Sequence, residues 1–134
     1  MNIFGIGTDI VNIKRIQNSL KKNKNFKKRI FTKFETKICE NRANKINCFA
    51  KRFAAKEATW KALSSTRGDG IFFKEIEILN DTNGKPYLFF TGNTKKYIEH
   101  KENKLSSRLK FDISLSDEAP FVITFVVISL APYV

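Results

Sequence analysis

Three charged side chains in this sequence have the types and positions that could do chemistry: two carboxylates and an ammonium. Asp9 lies inside an apolar run, Ile3 to Val11, that predicts a β-strand. Strands disfavour aspartate, and a buried carboxylate is costly unless it is paired or holds a metal. Glu57 and Lys61 are four residues apart in a segment that predicts a helix, so their side chains share one face.

Each of these features also has a simpler interpretation. Glu57 and Lys61 would form an ordinary surface ion pair, which is common and contributes little to stability. The strand could end at Thr8, with Asp9 capping the next helix. Two observations favour a binding site. Gly5 and Gly7 leave space on the same side of the strand as Asp9 for a ligand or another backbone. On the predicted helix, two small residues, Ala50 and Ala54, flank the carboxylate of Glu57.

The helix from Phe49 to Leu63 is the central element that must position Glu57 and Lys61. It lacks Gly and Pro and is rich in Ala, Lys and Leu. Its apolar stripe comprises Phe49, Phe53, Trp60 and Leu63. Lys56 falls within that stripe, so we expect a buried aliphatic stem and a partner for the ammonium, a structural rather than a catalytic role.

The remaining pattern predicts an α+β fold, because helices come early and antiparallel strands late. Thr32 and Glu35 form a capping box that starts a helix at Lys33, running to about Asn44. Lys45 to Asn47 is expected to be a break before the central helix. The other predicted elements are a helix over 12–24, strands over 71–79 and 87–90, a polar helix over 93–103, a strand over 109–115 and a central strand over 121–130.

Length and composition predict one domain over residues 1–134, with 42% hydrophobic residues to form a core that the thirteen Phe should fill. Cys39 and Cys48 match neither a metal motif nor a disulfide framework, so free thiols in a reducing cytoplasm are expected. No apolar run is long enough for a membrane span, and no signal-peptide pattern is present.

The net charge of +12 indicates an anionic partner, unless part of it reflects drift in composition, since Lys, Asn, Ile and Phe are all frequent in this chain. Between Asn12 and Ile30 there are eight basic residues and no acidic one, including Arg15 and Lys22, which indicates an interaction surface. Nucleic acid would satisfy this charge, and so would an acidic protein or a phosphate-rich cofactor. Against nucleic acid, the aromatic residues follow core-like periodicities and are not interleaved with the basic run.

Two motifs resemble the signatures of the holo-[acyl-carrier-protein] synthases, which are small 4'-phosphopantetheinyl transferases. The first is Gly-Ile-Gly-Thr-Asp-Ile-Val at 5–11 with Arg15-Ile16. The second is Arg-Phe-Ala-Ala-Lys-Glu-Ala at 52–58 with Lys61-Ala62. Their order and spacing also match, and the likeness continues through Gly84-Lys85-Pro86 to 114–117, so it covers nearly the whole chain.

The resemblance implies a transfer of phosphopantetheine from coenzyme A to a serine of apo acyl carrier protein, as part of fatty acid biosynthesis, with 3',5'-ADP as leaving group. It assigns Asp9 and Glu57 as Mg²⁺ ligands, with Lys61 on the phosphate. Arg52, Lys85 and Pro86 would bind coenzyme A. The basic first helix, through Arg15 and by charge also Lys22, would dock on the acidic carrier protein. It also implies a homotrimer with sites between subunits, near which Ser114 and Asp117 would lie.

One segment departs from the family pattern. Ser64, Ser65 and Thr66 replace a Gly-Thr-Gly trio that follows the central helix. This puts the cofactor contacts of that loop in question, and it suggests a catalytically inactive relative as a further alternative. The intact Asp9, Glu57 and Lys61 argue against that alternative.

Overall fold

A long helix lies across an antiparallel three-stranded sheet in the computed structural model, which describes residues 2–63 and 70–133. The loop predicted over Ser64 to Gly70, with its three substituted positions, therefore lies almost entirely outside the described residues. The strands are β1 (Ile3–Asn12), β2 (Ile76–Asn80), β3 (Pro86–Phe90), β4 (Arg108–Glu118) and β5 (Phe121–Ala131). The helices are α1 (Ile13–Lys22), α2 (Phe26–Ile30), α3 (Lys33–Glu40), α4 (Lys45–Leu63) and α5 (Gly92–Leu105).

The sheet has the order β1-β5-β4, and β2 and β3 form a separate antiparallel hairpin. The prediction of a central strand over 121–130 is confirmed, because β5 pairs with β1 on one side and β4 on the other. The α+β architecture is confirmed as well. The predicted strand over 71–79 is partly wrong, since a 3₁₀ helix occupies Phe73–Glu75 and the strand begins only at Ile76.

The largest differences between the predicted and observed helices are in three places. Lys45 to Asn47 form the first turn of α4 and are not a break. The basic segment after β1 is divided into α1 and α2, and Asn12 caps α1 by accepting a hydrogen bond from the Lys14 amide. The capping box of Thr32 and Glu35 is confirmed, but α3 ends at Glu40, shorter than predicted.

The core contains fewer aromatic residues than expected. Phe49 and Phe53 on α4 are buried together with Phe31, and the ring centroids of Phe31 and Phe49 are 4.9 Å apart. Five of the thirteen phenylalanines are instead more than 40% exposed in the single chain (Phe34, Phe72, Phe89, Phe121 and Phe125). Trp60, expected in the apolar stripe, is only partly buried. The prediction that phenylalanine fills the interior is therefore only partly correct.

Cys39 and Cys48 are joined by a disulfide between the end of α3 and the first half of α4. Both side chains are buried, and the bond closes a short segment with a sequence separation of 9. The expectation of free thiols is therefore wrong. It rested on the absence of a recognisable spacing pattern, whereas the pairing depends on how the turn between the two helices folds back.

Candidate active site

The glycines of β1 bring that strand into direct contact with the backbone of α4. A Cβ atom on Gly7 would collide with the carbonyl oxygen of Ala58, and a Cβ atom on Gly5 with that of Ala62. The space predicted beside Asp9 is therefore filled by another backbone rather than by a ligand. This close approach sets Asp9, two residues beyond Gly7, alongside the helix that carries Glu57 and Lys61.

Lys61 reaches across to β1. Its ammonium lies 3.1 Å from Asp9 Oδ1 and donates a hydrogen bond of 3.0 Å to the carbonyl oxygen of Thr8. Asp9 stays in the strand, so the alternative in which β1 ends at Thr8 is wrong. Within the described ranges the ion pair that forms is the one with Asp9, and not the Glu57–Lys61 surface pair considered from the sequence.

Glu57 lies half-buried beside this pair. Burial raises the pKa of its carboxyl group, and the negative charge of Asp9 raises it further, while Lys61 and Arg15 act in the opposite direction. Two carboxylates that repel each other at a partly exposed site are a donor set suited to a hard divalent cation. Among the described residues no group of three or more His, Cys, Asp or Glu side chains could hold a metal ion, so no third side chain of these types joins Asp9 and Glu57 there.

Ala50 and Ala54 do not form a floor for this site. Both are fully buried in the core beside Val11 and Ile16, which come from β1 and α1. Small residues are needed there because helix and strand pack so closely.

Arg15 and Lys22 are exposed on α1, which follows β1 without an intervening loop. They line a shallow cleft of about 530 Å³ on the basic surface, together with Asn12, Lys14, Asn18, Ser19, Asn23 and Phe26. The positive charge of Arg15 acts on the pKa of Glu57, so this surface adjoins the carboxylate site. A partner seated on α1 would therefore present its surface groups next to Glu57.

A second cleft of about 580 Å³ collects the other predicted site residues. Arg52, Lys85, Pro86 and Ser114 all line it, as do two further cations, Arg42 and Lys51. Neither of these two is part of the sequence motifs, and Arg42 lies in the turn after α3. Four cationic residues around one cleft are suited to an anion such as a phosphate.

Arg52 is the most constrained of these cations. It is 3% exposed, its Nη1 donates to Cys48 Sγ at 3.1 Å, and its Nη2 donates to Asn80 Oδ1 at 3.3 Å. Its buried Nε has no hydrogen-bond partner in the described part of the chain. Burial also lowers the pKa of Arg52. An anion in the cleft would offset this desolvation of the guanidinium.

Asp117 holds one rim of this cleft in place. Its carboxylate accepts a hydrogen bond from Asn47 Nδ2 at 2.9 Å and lies 3.3 Å from Lys51 Nζ. These two contacts lower the pKa of Asp117, the hydrogen bond from Asn47 being the larger cause. In the single chain Asp117 therefore orients Lys51.

The predicted site residues fall into two groups, which lie at different places on the folded chain. Asp9 is on β1 and Ser114 is on β4, and these strands are the opposite edges of the sheet. Edge strands with one strand between them are about 10 Å apart. The structure thus unites Asp9, Glu57 and Lys61, and separately unites Arg52, Lys85 and Pro86.

Lys56 has the structural role expected from the sequence. Its fully buried ammonium lies 2.8 Å from Glu35 Oε1 and donates to the carbonyl oxygens of Phe73 and Ile76. The other Glu35 oxygen accepts from the Ile78 amide at 3.0 Å. This buried ion pair fixes α4 against α3 and the β2–β3 hairpin.

No helix in the described ranges combines the length and apolarity that a membrane span requires.

The chain is similar to known proteins in sequence and in structure. The family model of the 4'-phosphopantetheinyl transferase superfamily matches residues 5–125. A holo-[acyl-carrier-protein] synthase of Pelagibacter ubique is 41% identical over 128 residues, covering 96% of this chain and 98% of the relative.

Solved structures are similar over the same extent. The crystal structure of the holo-[acyl-carrier-protein] synthase of Neisseria meningitidis has a TM-score of 0.80 and 40% identity, covering 95% of this chain and 98% of the other. A Bacillus anthracis enzyme of the same name, solved in complex with CoA (3',5'-ADP), has a TM-score of 0.74 and 30% identity, with coverage of 96% and 98%.

Proposed function

Because the chain belongs to the 4'-phosphopantetheinyl transferase superfamily, and within it to the holo-[acyl-carrier-protein] synthases, we propose a Mg²⁺-dependent transfer that releases 3',5'-ADP. The enzyme moves the phosphopantetheine group of coenzyme A to a serine hydroxyl of apo acyl carrier protein, a step that supplies fatty acid biosynthesis. One observation carries the assignment of the site. Asp9 and Lys61, 52 residues apart, form an ion pair beside Glu57.

Asp9 and Glu57 are the residues that would hold Mg²⁺ in this proposal. Burial raises the pKa of Glu57 and the charge of Asp9 raises it further, and a divalent cation would stabilise the ionised form of both carboxylates. When bound, the ion would neutralise the charge that develops on the pyrophosphate as its bond breaks.

The chain's own groups supply the rest of the chemistry. Glu57 accepts the proton of the incoming serine hydroxyl, directly or through a water molecule. The serine oxygen forms a bond to the phosphorus attached to pantetheine, and the P–O bond to the 3',5'-ADP portion breaks. Lys61 is half-exposed and is placed to turn from Asp9 to a phosphate oxygen, where its ammonium stabilises the leaving charge.

The cationic cleft is proposed to hold the adenosine end of coenzyme A. Arg52 and Lys85 would bind phosphate oxygens, and Pro86 would pack against the base. The unpaired, buried Nε of Arg52 supports an anionic occupant.

The basic surface of α1 is proposed to dock the carrier protein through Arg15 and Lys22. Both are exposed, and the charge of Arg15 reaches Glu57, so a carrier docked there would have its serine near the proton acceptor. Complementary charge would mainly accelerate encounter and lose its effect at high salt.

A homotrimer with its sites between subunits is part of the proposal. The sheet face turned away from α4 exposes six large apolar side chains, each 41–65% exposed (Ile3, Ile6, Ile10, Phe121, Ile123 and Phe125). Such a patch is characteristic of an interface between proteins. A second subunit could also bring its cationic cleft to the carboxylate site of the first. The number three comes from the family resemblance.

A cytoplasmic location also remains a prediction, and the Cys39–Cys48 disulfide removes one of the arguments for it.

The test is mass spectrometry of an apo acyl carrier protein incubated with this enzyme, coenzyme A and Mg²⁺, with and without EDTA. We expect a mass gain of one phosphopantetheine that EDTA prevents, with 3',5'-ADP detected in equal amount. A transfer that proceeds fully in EDTA would overturn the metal dependence. No transfer by the folded protein, combined with salt-sensitive binding of RNA or DNA, would favour the nucleic-acid alternative.

A further inference from the structure

A threonine hydroxyl lies buried directly beside the carboxylate site. Thr124 on β5 is the Cα partner of Asp9 on β1. Opposite residues of an antiparallel pair project to the same face, with Cβ atoms about 4.5–5.5 Å apart. The alternation along β5 agrees, because Val122, Thr124 and Val126 are all fully buried towards α4.

This hydroxyl has no hydrogen-bond partner within the described ranges, although its oxygen is inaccessible to solvent. The other fully buried threonine nearby on α4 behaves differently, since Thr59 Oγ1 donates to the Ala55 carbonyl oxygen at 2.7 Å. A buried hydroxyl without a partner destabilises a fold, and valine would fill the same volume without that cost. The polar atom at 124 therefore calls for a functional explanation, and its neighbour across the strands is Asp9.

We propose that Thr124 is a positioning residue that donates a hydrogen bond to the Asp9 carboxylate when the site holds its divalent cation. This inference rests on the proposed function. Lys61 occupies Asp9 Oδ1, and no hydrogen bond reaches Oδ2 from the described part of the chain. Rotation about one side-chain bond of Thr124 would aim its hydroxyl across the strand pair.

The chemical reason is that a carboxylate needs a second contact to keep its orientation while it binds a metal. When Lys61 turns to phosphate, Asp9 loses the contact that holds it in this structure. Hydrogen bonds to metal-binding carboxylates commonly contribute about 10–100-fold in metal affinity. Thr124 is placed to provide that contact from the rigid central strand.

The experiment measures binding of Mn²⁺ alone, by electron paramagnetic resonance, to the wild type, Thr124→Val and Thr124→Ser, with Asp9→Asn as a control. We expect the dissociation constant of Thr124→Val to rise about tenfold. Thr124→Ser, which retains the hydroxyl, should stay within about twofold of the wild type. The melting temperature of metal-free Thr124→Val should equal or exceed that of the wild type, because an unpaired buried hydroxyl has been removed.

The steady-state counterpart is a rise in the Mg²⁺ concentration needed for half-maximal transfer by Thr124→Val, which excess Mg²⁺ should overcome. Unchanged Mn²⁺ affinity in Thr124→Val would overturn the inference while leaving the proposed function intact. Equal loss in the serine and valine variants, with lower melting temperatures, would show a packing role and overturn it too. If the wild type and Asp9→Asn bind Mn²⁺ alike, the metal site itself is wrong, and the inference fails with it.

Discussion

At the scale of single residues, the two carboxylates of the site differ in how well their negative charge is compensated. Asp9 has a cationic partner in Lys61, whereas Glu57 is partly desolvated and faces the charge of Asp9. The isolated protein thus carries a carboxylate in an unfavourable place. This cost is typical of catalytic groups, which are selected for activity rather than for stability.

Glu57→Gln should separate activity from stability. Transfer should fall by at least about 10²–10⁴-fold, because the proposed proton acceptor is lost and with it one of the two carboxylates proposed to hold Mg²⁺. The metal-free variant should melt at a temperature equal to or above that of the wild type, because a neutral amide neither repels Asp9 nor suffers the desolvation of a charge. The measurements are single-turnover mass spectrometry and differential scanning calorimetry.

The stability difference between Glu57→Gln and the wild type should depend on pH with a definite sign. The pKa of Glu57 is higher in the folded than in the unfolded chain, so the folded state binds the proton more tightly. That contribution to stability is present at low pH and is lost as pH rises through the raised pKa. The stability of Glu57→Gln relative to the wild type should therefore increase from about pH 4 to pH 7. A constant difference across this range would contradict the account.

At the scale of elements, α4 is fixed on two sides by contacts of different kinds. The backbone of α4 at Ala58 and Ala62 meets the two glycines of β1, and Lys56 ties the helix to α3 and the hairpin through Glu35. Burial lowers the pKa of Lys56, while Glu35 supports the charged form. The ion pair thus depends on both partners, and removing one leaves the other charged and buried.

Lys56→Met should lower the free energy of unfolding by about 3–5 kcal/mol. Urea denaturation measures the change. Lys33→Met, an exposed position on α3, is the matched control and should stay within about 0.5 kcal/mol. A loss below about 1 kcal/mol for Lys56→Met would show that Glu35 finds adequate partners without the ammonium.

The disulfide links the stability of α3 and α4 to the cationic cleft. Cys48 accepts a hydrogen bond from Arg52, and Arg42 lies in the segment that the Cys39–Cys48 bond closes. The double variant with alanine at positions 39 and 48 should lose about 3 kcal/mol of unfolding free energy by urea denaturation. The KM for coenzyme A should rise more than that for the carrier protein. Dithiothreitol should shift the unfolding free energy and the coenzyme A KM of the wild type towards those of the double variant, and it should leave the values of the double variant unchanged. If the KM for coenzyme A is the same in the wild type and in the double variant, the disulfide does not support coenzyme A binding in the cleft.

Sequence patterns predicted local features well and distant contacts poorly. The capping box of Thr32, the buried Lys56 and the central strand depend on near neighbours and were confirmed. The disulfide was missed because it depends on a turn that carries no strong signal. Thr124 was missed because its relation to Asp9 exists only through strand register, which one sequence does not specify.

At the scale of the whole molecule, the sheet has two unlike faces. One is covered by α4, and the other exposes large apolar side chains on β1 and β5. The monomer in isolation would carry an apolar area that soluble chains usually cover. Association through this face would also explain why predicted site residues fall into two separate groups on one chain.

Ile10→Asp, on that exposed face, should prevent the proposed association and leave monomers, because burying a charge in an apolar interface is unfavourable. Light scattering coupled to size-exclusion chromatography measures the mass. Phe34→Asp, which alters an equally exposed apolar residue on α3, should keep the assembled mass. Loss of transfer together with loss of the assembly would support shared sites, whereas a fully active monomer would contradict them.

The contact between Gly7 and the Ala58 carbonyl has a consequence for how this enzyme tolerates sequence change. Where strand and helix meet backbone to backbone, the spacing of Asp9 and Glu57 is set by positions that leave no room for a larger side chain. Substitutions in parts of the core that do not touch this contact would leave the distance between the two carboxylates unchanged. A side chain added at Gly5 or Gly7 would instead push β1 away from α4 and separate them.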